Sequence, residues 1–142
     1  MTTQVTLLSQ DGKSKITFYD FYRPNGVPSD DDRMWEYNVR ICSVDLIAES
    51  KVMDGYGTNY MLKQLTNFAN DSNVPKQLSE NHVIENLQLM AENKVRDDVT
   101  IDLSLSKYDF KADWHQWTTS VKIKTSLKAF QIFCNQLSMF FK

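Results

Sequence analysis

Two stretches of the chain alternate so regularly that a strand and its buried face can be read together. Trp35, Tyr37, Val39 and Ile41 fall on one side of an extended backbone, and Glu36, Asn38, Arg40 and Cys42 on the other. A period of two is what a sheet with one dry and one wet face requires. Val99, Ile101, Leu103 and Leu105 alternate in the same way with Thr100, Asp102, Ser104 and Ser106. Weaker alternation predicts further strands at Gln4–Leu8, at Lys15–Tyr19 with Ile16 and Phe18 on one face, over Val44–Val52, near Ile84–Met90, and at Trp117–Lys124. Asp11-Gly12 supplies hairpin chemistry between the first two, because both residues tolerate positive φ. Asn93-Lys94 is the expected turn between two later strands, and Lys107–Asp113 the loop before the last.

The period changes twice. Met61, Leu62, Leu65, Phe68 and Ala69 recur at helical spacing after Gly55-Tyr56-Gly57, with Thr58 or Asn59 as the expected N-cap. Leu127, Phe130, Phe133, Cys134, Leu137, Phe140 and Phe141 form a second, wider apolar stripe, with Thr125 or Ser126 as its N-cap. Between these regions lie a loop at Arg23–Arg33, with Pro24, Pro28 and three consecutive aspartates, and a polar crossing at Asn70–Glu80. Four strands, a helix, three strands and a helix predict an α+β domain spanning residues 1–142. Its expected core is an antiparallel sheet of about six to seven strands with two helices (about 59–70 and 126–141) packed on one face.

A chain of 142 residues that is 42% hydrophobic buries enough surface to fold without a disulfide or metal staple. Sixteen basic against 18 acidic residues leave a net charge of -2, which points to neither nucleic acid nor a membrane surface as direct partner. No segment approaches the roughly 20 apolar residues of a bilayer span, and the first residues carry no basic stretch followed by an apolar one. The expected location is the cytoplasm. Cys42 and Cys134 stand in no C-x-x-C motif and read as reduced thiols.

Candidate chemistry is sparse. His82 and His115 have no partner at metal-ligand spacing, and Gly55-Tyr56-Gly57 lacks the lysine and further glycine of a phosphate loop, so neither a metal nor another cofactor is expected. Glu36, Asp102 and Asp113 could meet in space as a carboxylate pair, or simply be acids on solvated strands. Aromatic rings beside acids are the more informative pattern. Tyr22 precedes Asp30, Asp31, Asp32 and Arg33, while Tyr108, Asp109, Asp113 and Trp114 surround the last loop. Rigid rings supply binding energy and charges select the partner, so these residues form the expected protein-binding surface; closing the end of the sheet is the alternative role for Trp114.

The chain resembles the WapI-type bacterial immunity proteins and a related bacterial domain family of unknown function. The residues carrying the resemblance are Trp35-Glu36-Tyr37-Asn38-Val39-Arg40, the Leu62–Phe68 helix, Ile84-Glu85-Asn86-Leu87-Gln88-Leu89, the Val99–Leu105 strand, Asp113-Trp114 and the terminal Met139-Phe140-Phe141. They span nearly the whole chain, but no catalytic motif is among them. The resemblance implies a small cytoplasmic antitoxin that binds and neutralises the toxin domain of a polymorphic or contact-delivered toxin, and the expected assembly is a monomer or weak homodimer. It implies no catalytic residue. A small-molecule or regulatory binding domain using Glu36, Asn38 and Arg40 on the wet sheet face is the competing expectation, and a deep pocket over that face would favour it.

Overall fold

The computed structural model describes residues 4–22, 35–54, 56–70, 83–84, 87–95, 97–109 and 114–140. β1 (Gln4–Leu8), β2 (Lys15–Tyr22), β3 (Trp35–Cys42) and β4 (Ile47–Asp54) form one antiparallel meander. α1 (Tyr56–Asn70) follows, and β5 (Val83–Ile84), β6 (Leu87–Val95), β7 (Asp98–Asp109) and β8 (Trp114–Ser126) form a second. α2 (Leu127–Phe140) ends the described chain. The class is α+β with two helices and antiparallel strands.

The strands are divided between two four-stranded sheets instead of lying in one of six to seven. Local pattern assigns each strand a buried side, but strand neighbours depend on where the chain reverses. The segment read as one strand near Ile84–Met90 reverses inside itself, so that Ile84 pairs with Leu87 and Val83 with Gln88. Asn93-Lys94 is not a turn: both residues pair within the β6–β7 ladder, which absorbs a bulge between Ala91 and Asn93. β7 and β8 also outrun their expected limits, reaching Asp109 and back to Trp114. α1 begins at Tyr56, which puts Gly57, Thr58 and Asn59 inside its first turn and removes Thr58 and Asn59 as caps.

Local chemistry accounts for the junctions. At the β1–β2 turn, Asp11 Oδ1 accepts from the Ser9 hydroxyl (2.6 Å) and the Lys13 N–H (2.9 Å), while Gly12 takes φ +73°. Those bonds hold the Asp11 carboxyl below its usual range. At the start of α2 the Ser126 hydroxyl accepts the Ala129 N–H at 3.0 Å, the expected N-cap. Thr125, the alternative cap, is buried and donates to the Leu8 carbonyl at 3.1 Å.

Buried residues from both sheets and both helices join in one core. α2 lies against β1, β7 and β8, while α1 lies against β5, β6 and α2. Phe133 meets Phe18 edge to face (5.8 Å between centroids), and Phe130 meets Phe68 likewise (6.4 Å). Gln131 Nε2 also donates to the Ala69 carbonyl at the end of α1 (2.9 Å), tying the helices together. Among the described residues no helix is long and apolar enough to cross a membrane.

Candidate functional surface

α2 packs on the inner side of the first sheet, leaving its outer side as a face whose composition follows from strand register. Leu8, Lys15, Cys42 and Ile47 stand in one cross-strand row, and Thr6, Thr17, Arg40 and Glu49 in the next on that side. Gln4, Tyr19, Asn38 and Lys51 form a third. Beyond a bulge in β2, Tyr22 faces Glu36. The face therefore grades from an apolar margin to a charged and aromatic centre. Ile47 and Val44 at that margin are 77% and 71% exposed.

Arg40 is fixed at the centre. Its Nε donates to Glu49 Oε2 at 2.8 Å, its guanidinium lies 4.8 Å from the centroid of the Tyr19 ring, and its Nη2 reaches the Tyr19 hydroxyl at 3.4 Å. Hydrogen bonding from the Tyr19 hydroxyl and from Arg40 holds the Glu49 carboxyl below its usual range. Partial burial, then the neighbouring Glu49, push Tyr19 the other way. All three side chains remain in reach of solvent, so the trio presents a preorganised charge pair and a ring. Sequence reading had placed Arg40 on the wet face with Glu36 and Asn38 but missed Glu49. Alternation reveals which side a residue occupies; only register reveals its neighbour.

The expected partner-binding residues are spread more widely. Tyr22 ends β2 and is 52% exposed. Tyr108 and Asp109 end β7, where they pair with His115 and Trp114 at the start of β8. Asp109 and Trp114 are thus brought together, but in the second sheet, whereas Tyr22 belongs to the first. Asp30, Asp31, Asp32, Arg33 and Asp113 lie outside the described residues.

A cleft of about 210 Å³ lies elsewhere, between the β1–β2 turn and β8, lined by Ser9, Gln10, Asp11, Ser14, Lys122, Ile123 and Lys124. It does not lie over Glu36, Asn38 and Arg40. Among the described residues no group of three or more His, Cys, Asp or Glu is placed to hold a metal ion. Comparison with family models, with curated proteins and with solved structures found no match to this chain.

Proposed function

We propose that the protein is a cytoplasmic immunity protein, binding and neutralising a cognate toxin domain as a protein inhibitor and not as an enzyme. The observation that carries this reading is the outer face of the first sheet. There a fixed Tyr19–Arg40–Glu49 trio adjoins the exposed ring of Tyr22 and an apolar margin at Leu8, Val44 and Ile47. A broad surface with aromatic and arginine anchors suits a protein partner better than a small ligand, which needs enclosure. The expected acidic-aromatic loops would add charge selection at the edges. The resemblance to immunity proteins supplies the class of partner.

The test is co-purification of the full chain with the C-terminal domain of a large toxin encoded beside its gene, followed by growth protection when both are expressed. Binding with protection supports the proposal. A chain that neither binds that domain nor protects overturns it. Arg40→Ala should weaken the complex chiefly through faster dissociation.

A further inference from the structure

We propose that β8 is a self-association edge, through which a second copy of this chain pairs antiparallel about a two-fold axis at Ser120. Among the described residues β8 is the last strand of its sheet, and it runs for 13 residues, Trp114–Ser126. The other edge strands of the described sheets are shorter: β5 has two residues, β1 five and β4 eight.

The direction of β8's outward backbone groups can be derived. The Lys124 carbonyl accepts from the Gln10 N–H at 2.8 Å, so it points away from β7. In an extended strand the N–H and C=O of one residue share a side and the side alternates, so Ser120 and Thr118 point outward as well. An independent contact agrees: the hydroxyls of Ser104 and Ser120 are 2.9 Å apart, as suits a cross-strand pair that exchanges no backbone bonds and brings its side chains close. The outward N–H and C=O of Ser120 are therefore set to pair with another strand.

The occupant follows from complementarity. With Ser120 opposite Ser120 of the second copy, Thr118 faces Lys122 and no two like charges oppose one another over 117–123. On the core side, Trp117 faces Ile123 and Thr119 faces Val121, so apolar groups meet apolar or small ones. Trp117 and Val121 are only partly buried in the single chain, and pairing would cover them further. Gln10 already occupies the Lys124 carbonyl, which ends the available edge there.

Sedimentation of the full chain over a concentration series reads this directly. The expected result is a reversible monomer–dimer equilibrium. Ser120→Lys, which sets two lysines against each other at the axis, should raise the dimer dissociation constant about tenfold or more. Ser120→Pro, which removes the outward N–H without touching the β7 ladder, should do the same. Exchange of the Ser120 amide should also slow as concentration rises. A chain that stays monomeric throughout overturns the proposal, as does a dimer that persists in either folded variant.

Discussion

Arg40 shows how much of a surface is decided one side chain at a time. Its two partners come from neighbouring strands, and both reach it because the register sets Glu49 directly opposite and Tyr19 one row away. Glu49 titrates low in the folded chain, so the stability it contributes is present above the carboxylate's unfolded value and fades as pH falls through the folded one. Tyr19→Phe removes the first cause of that depression, and the Glu49 midpoint, followed by carboxyl carbon NMR, should move up toward the usual value. The cysteines provide a second residue-scale contrast. Burial pushes the Cys134 thiol up to about 12, leaving almost no thiolate near neutrality, whereas Cys42 is half-buried on the outer face. Alkylation of the native chain read by mass spectrometry should mark Cys42 alone, with Cys134 reacting only after denaturant is added.

At the scale of elements, α2 ties the fold together because its stripe meets both sheets and α1. Phe133→Ala should cost about 3–5 kcal/mol in denaturant unfolding, since its ring contacts Phe18 on β2 and Phe130 on the same helix. Ser126→Ala should cost about 1 kcal/mol by freeing the Ala129 N–H. The stripe, the cap and the alternation at Trp35–Cys42 and Val99–Leu105 were legible in the sequence, since each depends on residues within a few positions of one another. What was not legible depended on pairing. The 84–90 segment has strand composition throughout, and nothing local says that Ile84 folds back onto Leu87. Asn93-Lys94 has turn-forming residues, yet its ladder with Thr100 and Val99 overrides that preference. Glu49 joined the candidate surface for the same reason, by register and not by motif.

Over the whole molecule, a net charge of -2 conceals an uneven distribution. Asp30, Asp31 and Asp32 concentrate negative charge in one stretch of chain, while the sheet face presents Arg40 and Lys51 beside Glu49. Under the proposed function these act at different stages of binding. Changing the three aspartates to asparagine should slow association with the toxin domain and flatten its salt dependence, read by stopped-flow at two ionic strengths. Trp114→Ala should leave association largely unchanged and speed dissociation. If both variants bind as the parent does, the contact surface lies elsewhere on the molecule.

Asp20, at φ 55° within the β2 bulge, bears on how this gene can lose or gain codons. Ahead of it the inward positions are Ile16 and Phe18; past it Phe21, not Asp20, turns inward and stacks on Phe140 at 4.3 Å, with Tyr22 exposed. One extra residue has exchanged the two faces of the strand. Deleting Asp20 would restore simple alternation with Ile16, Phe18 and Phe21 all inward and Tyr22 still outward, opposite Glu36, so the chain's melting temperature should hold or rise. Asp20→Gly keeps the count and suits the left-handed backbone, so it should leave that temperature unchanged or higher. The bulge holds one residue more than the alternation needs, so a single in-frame deletion, ordinarily damaging inside a strand, is absorbed at this position.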